Sequence, residues 1–146
     1  MGLDNGIIIK GKTLAGQDFV TEFFNEYDKE ASSYPSGARD LAYWRKCWNV
    51  RHAILELPFA GQYDGQGGDV RMFISDLPDV VGVMKYFLDE SHWIEGNGFI
   101  NGSIWTWTEQ LRNTAYVIWI ITRLIEEIED KKIEDADIDI FFYDSY

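Results

Sequence analysis

Residues 43 to 52 read YWRKCWNVRH and concentrate the chain's chemistry-bearing side chains: Trp44, Trp48, Arg45, Arg51, Lys46, His52 and the single cysteine, Cys47. A reactive thiol needs exposure and an activating base, whereas Cys47 falls among apolar residues at helical spacing, which predicts a buried and inert side chain. His52 has the chemistry of a general base, but no serine, cysteine or carboxylate stands at a spacing that builds a triad around it. His92 lies in a separate segment, ESHW, and both histidines are expected as ordinary exposed residues. Two histidines and one cysteine offer no cluster at zinc-ligand spacing. The acid groups Glu126 with Glu127, and Asp135, Asp137 and Asp139, lack the glycine and closing glutamate of a calcium loop and read as a solvated acidic face. The expectation is a non-enzymatic protein with no catalytic set, no metal and no cofactor.

What remains is a candidate binding set of Trp44, Arg45, Trp48, Arg51 and His52. Indole faces beside guanidinium groups suit a planar anion such as a nucleotide or a nucleotide-derived signal. The same residue types are common energetic anchors of protein interfaces. A purely structural role is the third reading: Arg51 pairs with an acid at the edge of the core while the indoles pack under a loop. Asp4 is the carboxylate expected to serve Arg45 or Arg51, and Asp4 with Arg51 is the expected structural ion pair.

These side chains need elements to carry them. Helical periodicity and the stop at Pro58 predict a helix from about Arg39 to Leu57. On that helix Tyr43, Cys47, Val50, Ile54 and Leu57 form a core stripe, and Arg45, Asn49, His52 and Glu56 face water. Leu3 to Lys10 reads as a first strand from its three isoleucines. Gln17 to Lys29 suits either a helix or a strand, with Phe19, Phe23, Phe24 and Tyr27 on one helical face. Ser32 to Gly37 is a loop, and Gly61 to Gly68 a mobile connection that lacks the residues of a phosphate-cradling motif. Val70 to Ile74 is extended, and Ser75 is the expected cap of a helix with Pro78 and Asp79 in its first turn, reaching about Asp89. Gly96 to Gly102 punctuates the chain again. Thr106 and Glu109 have capping-box spacing and open a long helix to about Asp130, apolar nearly all round between Ala115 and Ile128 and hence central. Ile138 to Tyr143 is a final strand able to lie beside the first. The fold expected is a single α+β domain over residues 1–146, with a small sheet that includes both terminal strands packed against three or four helices.

Composition narrows the partners. The net charge of −12 is unevenly spread: residues 126–146 carry nine acids and two lysines, while Arg39, Arg45, Lys46 and Arg51 face only Asp40 between positions 39 and 52. Direct nucleic-acid binding is not expected, because phosphate neutralisation needs a broad basic surface. An acidic chain of this kind suits a basic partner instead, including a nucleic-acid-binding host protein whose groove it occupies. The longest apolar run, Ala115 to Ile121, falls well short of the roughly 20 residues of a membrane span, and the start lacks signal-peptide character. A cytoplasmic protein is expected.

The motifs MGLD (Met1 to Asp4), YWRK (Tyr43 to Lys46) and DIFFYDSY (Asp139 to Tyr146) together resemble a family of small phage and prophage proteins without an assigned function. In that family the central motif runs approximately YWRKANxIHxW, and its Asn and His fall here on Trp48 and Arg51. The resemblance implies a phage or mobile-element origin, hence residence in the host cytoplasm. Together with the acidic composition, that origin leads to the expectation of an accessory protein that binds a host component, with interference in a bacterial defence system as its most concrete form.

Overall fold

The computed structural model describes residues 4–61, 63–89 and 107–145. Four strands, β1 (Asp4–Gly11), β2 (Arg39–Arg45), β3 (Gly68–Met72) and β4 (Ile138–Ser145), form one antiparallel sheet in the order β2-β1-β4-β3. Four helices accompany it: α1 (Leu14–Tyr27), α2 (Trp48–Leu55), α3 (Leu77–Leu88) and α4 (Trp107–Lys131). The expected α+β architecture is the observed one. The first and last strands are direct neighbours at the centre of the sheet, in register from Asp4 opposite Ser145 to Gly11 opposite Ile138.

Strand alternation sorts the sheet's two faces. Along β4, Ile138, Ile140, Phe142 and Asp144 are buried while Asp139, Phe141 and Tyr143 are half-buried. On β1, Asn5, Ile7 and Ile9 join the buried set. The inner face meets helix side chains such as Phe24, Ile54, Met84 and Ile120 in one continuous hydrophobic core. Each large aliphatic side chain fully buried there contributes about 1.5–3 kcal/mol.

The segment 17–29 resolves as helix as far as Tyr27, with Asp28 and Lys29 beyond the helix end. Thr13 caps α1 by accepting the Gly16 N–H at 3.0 Å, and Phe19, Val20, Phe23 and Phe24 turn to the core. Its first turn packs against the loop before β4, where Lys12 N–H donates to the Asp137 carbonyl at 2.7 Å. A Cβ on Gly16 would stand 1.8 Å from that same carbonyl oxygen, so only glycine allows the approach. At α3, Pro78 and Asp79 lie in the first turn as expected, but the cap is Asp76 rather than Ser75. A short 3-10 turn, Ile74–Asp76, intervenes, with the Asp76 carboxylate accepting the Phe73 N–H at 2.7 Å.

Helix α4 corrects a second expectation. It is not apolar all round: Val117, Ile120, Ile121, Leu124 and Ile128 form one buried stripe, while Ala115 and Trp119 are exposed. Thr106, half of the expected capping box, lies outside the described residues, as do the Gly96 to Gly102 stretch and His92. No helix among the described residues is long and apolar enough to cross a membrane.

The largest correction concerns the segment Arg39 to Leu57. It is a strand followed by a helix. β2 ends at Arg45, Lys46 takes a left-handed φ of 55°, and α2 starts at Trp48. β1 pairs with β4 on one side and needs a partner on the other, and Asp4 to Ile9 obtain it from Arg45 to Arg39, with an irregularity between Ile7 and Ile8. Backbone hydrogen bonding to β1 thus overrides the local helical rhythm. Cys47, Val50 and Ile54 are buried as expected, whereas Tyr43 leaves the core stripe and is exposed on the outer face of the sheet.

Candidate functional site

The five candidate binding residues do not converge. Trp44, in β2, is 1% exposed and tilts against Phe142 in the core, with ring centroids 6.5 Å apart. Trp48, at the start of α2, is 41% exposed, with the Arg51 guanidinium 5.7 Å from its ring centre. His52 is exposed. Arg45 lies on the outer face of the sheet, and its Nη1 donates to Asp4 Oδ1 at 2.7 Å. Arg51 is buried and grips Asp144 with both ends of its fork, Nε to Oδ1 at 2.8 Å and Nη2 to Oδ2 at 2.7 Å.

The expected pairing of Asp4 with Arg51 is therefore replaced by two pairs, Asp4 with Arg45 and Asp144 with Arg51. The reason is strand parity. Asn5 stands opposite Asp144 and both point inward, toward α2, whereas Asp4 is one residue away and points outward. Arg51 does pair with an acid at the edge of the core, in line with the structural reading of that residue.

Asp144 also accepts from Asn5 Nδ2 at 2.6 Å and from the Tyr63 hydroxyl at 2.5 Å. Burial pushes its carboxyl upward, but the donors from Arg51, Tyr63 and Asn5 outweigh this and hold it below its ordinary value. The Tyr63 hydroxyl is pushed up to about 12 by burial and by its hydrogen bond to Asp144. The glycine-rich connection, expected to be mobile, is tied to the same network: Gly65 carbonyl accepts from Arg51 at 3.4 Å and Gly67 N–H donates to Tyr63 at 2.7 Å. Asn5 Oδ1 is buried without a hydrogen-bond partner among the described residues, while the groups around the Asp144 carboxylate are paired, and this network joins α2, the connection and the two central strands.

One open concavity lies elsewhere, along β2. The loop after α1 folds back, with Asp40 N–H donating to Ser32 carbonyl and Tyr34 N–H to Ala38 carbonyl, both at 2.9 Å. Asn113 of α4 donates to the Tyr43 carbonyl at 3.1 Å. Around these contacts is a cleft of about 370 Å³ whose walls include Asp28, Glu30, Tyr34, Asp40, Tyr116 and Tyr143. The Tyr34 hydroxyl donates to Asp40 at 2.9 Å, and the Tyr116 hydroxyl to Asp28 at 2.5 Å. Tyr143 lies across Gly6, where a Cβ would come within 2.5 Å of the ring. Trp119, 42% exposed, flanks the cleft with its ring centroid 6.2 Å from that of Tyr116.

The electrostatics of the cleft are one-sided. Among the described residues Asp28, Glu30 and Asp40 form no ion pair. Burial pushes the Asp40 carboxyl up, and the Tyr34 hydrogen bond only partly offsets this. Burial and the nearby Asp40 likewise push the Tyr143 hydroxyl well above its ordinary range. Carboxylates and the electron-rich faces of tyrosines attract cations and repel phosphates. The sequence reading missed this cleft, whose residues come from three regions far apart in the chain, 28–43, 113–116 and 143, with no common motif. No group of three or more His, Cys, Asp or Glu among the described residues is placed to hold a metal ion.

No family model, no curated protein and no solved structure matches the chain.

Proposed function

We propose that the protein is a non-enzymatic accessory protein of a phage or mobile element that binds a basic host protein through its acidic surface. Interference with a bacterial defence system is the setting this reading favours. The observation that carries it is the fate of the three arginines between positions 39 and 52. Arg45 and Arg51 are turned onto Asp4 and Asp144, and Arg39 donates to the Ala31 carbonyl at 2.9 Å and covers the Phe24 ring. Among the described residues the acids of the β2 cleft form no such ion pair, and the chain carries a net charge of −12. The phage setting rests on the MGLD and YWRK motifs.

The nucleotide-pocket alternative needs Trp44, Trp48, Arg45 and Arg51 on one surface, and their positions in the core, on a helix and on opposite sheet faces argue against it. The test uses host lysate passed over the immobilised protein, with each captured protein then purified and titrated directly. The reading expects a basic protein released by raised salt and displaced by duplex DNA, since both compete for the same charges. Capture of no basic protein, together with thermal stabilisation by a mono- or cyclic nucleotide, would overturn it.

A further inference from the structure

The β2 cleft has features that go beyond general acidity. Its volume of about 370 Å³ lies at the small end of the range of about 300–1,000 Å³ usual for ligand sites, enough for a side chain rather than a folded domain. Asp40 is half-buried, and its one hydrogen-bond donor among the described residues is the neutral Tyr34 hydroxyl. Removing an anion from water without supplying a cation is unfavourable, so this carboxylate weakens the fold unless a positive group arrives from outside. Asp28 also forms no ion pair among the described residues and accepts from the Tyr116 hydroxyl and the Glu30 N–H. The rings of Tyr34, Tyr116 and Tyr143 add flat π surfaces.

We propose that this cleft is the receptor for an arginine side chain of the basic partner, whose guanidinium the Asp40 and Glu30 carboxylates hold against the tyrosine rings. The proposal rests on the acidic-surface reading and names the place where that surface becomes specific. Arginine fits better than lysine because its guanidinium is planar, stacks on aromatic faces and is more weakly hydrated than an ammonium. Trp119 beside Tyr116 supplies an exposed aromatic anchor at the rim.

The test measures binding of short fluorescent oligo-arginine, oligo-lysine and oligo-glutamate peptides to the full chain at low salt. The arginine peptide should bind more tightly than the lysine peptide, and the glutamate peptide should not bind. Asp40→Asn should weaken arginine binding by about tenfold or more, the scale of a charge-assisted contact. Glu30→Gln should weaken it in the same direction, and it sits on an exposed loop where folding is not at issue. A control pair of substitutions at the exposed end of α4, Glu129→Gln with Asp130→Asn, should change it by less than about twofold. Asp40→Asn should not unfold the protein: the carboxyl is raised in the folded state, so its ionisation above that value opposes folding and a neutral amide relieves it. Equal binding of arginine and lysine peptides with no effect of Asp40→Asn would overturn the cleft and leave the acidic surface standing. Failure of both cationic peptides to bind would overturn both.

Discussion

The sheet carries arginine–aspartate pairs on both faces, and Arg51 with Asp144 on the inner face does different work from Arg45 with Asp4 on the outer one, where Arg71 and Asp139 form a further pair at 2.7 Å. On the inner face Arg51 and Asp144 have side chains 9% and 0% exposed and share a bidentate contact with two further donors. On the outer face Arg45 and Asp4 are 30% and 33% exposed, with Tyr43 as the additional donor at 2.8 Å. Water screens the outer pair, and such pairs add little to stability. The inner pair is not screened, and what it adds is mutual dependence: either ion alone would be a buried, uncompensated charge. Chemically alike contacts thus hold the architecture together on one face and decorate a surface on the other.

The inner pair should give the largest response. Arg51→Ala or Asp144→Ala should each cost about 3–5 kcal/mol in chemical denaturation, the penalty for stranding one buried charge. Replacing both at once, Arg51→Met with Asp144→Leu, should recover most of that loss. A double variant no better than the single ones would mean that the pair is held for the Tyr63 and Asn5 contacts rather than for charge balance.

The two tryptophans extend the contrast to packing. Trp44→Ala empties a fully buried site and should cost about 3–5 kcal/mol, whereas Trp48→Ala on the helix surface should stay close to wild type, as surface substitutions do, within about 0.5 kcal/mol. Comparable losses would contradict the separation of these two indoles.

Acid titration should distinguish the faces next. Asp144 is held below its ordinary value of 3.8, so its contribution to stability is complete above that pH and fades as the pH falls through the lower, folded-state value. Asp40 works in the opposite sense, its cost appearing as the pH rises through its raised value. The acid-unfolding profile of Asp144→Asn should therefore be flatter than that of the wild type below pH 3.8, while that of Asp40→Asn should gain stability at neutral pH.

The smallest effect on stability belongs to Gly6→Ala. Its new Cβ would meet the Tyr143 ring, the movable end of a side chain on the outer face. The unfolding midpoint should shift little, but Tyr143 should leave its place in the cleft and arginine-peptide binding should fall. Unchanged binding would show that Tyr143 does not contribute to recognition.

Much of the scaffold was legible in the residues. The run of isoleucines Ile7 to Ile9 and the stretch Ile138 to Tyr143 marked two strands able to meet, and the sheet places them side by side. Phe19, Phe23 and Phe24 suited one helical face in a segment that also suited a strand, and the burial of Cys47, Val50 and Ile54 survived even though the expected helix is shortened to Trp48–Leu55. The strand at Arg39 to Arg45 was hidden because Tyr43, Cys47 and Val50 also satisfy a helical rhythm, and only four residues, Ala42 to Arg45, alternate cleanly after the irregularity in β2. The cleft was hidden for another reason: Asp28, Tyr34, Asp40, Tyr116 and Tyr143 meet only once the chain has folded.

Local pattern by itself determined which stretches seek burial, that the two ends can pair, and that the chain is acidic with its charge unevenly spread. Tertiary structure decided which carboxylate each arginine meets. That choice depends on strand parity, where a one-residue offset sends a side chain to the opposite face, and parity is settled only when β1 finds β2 and β4. The same pairing buries Trp44, exposes Tyr43 and opens the anionic cleft beside β2.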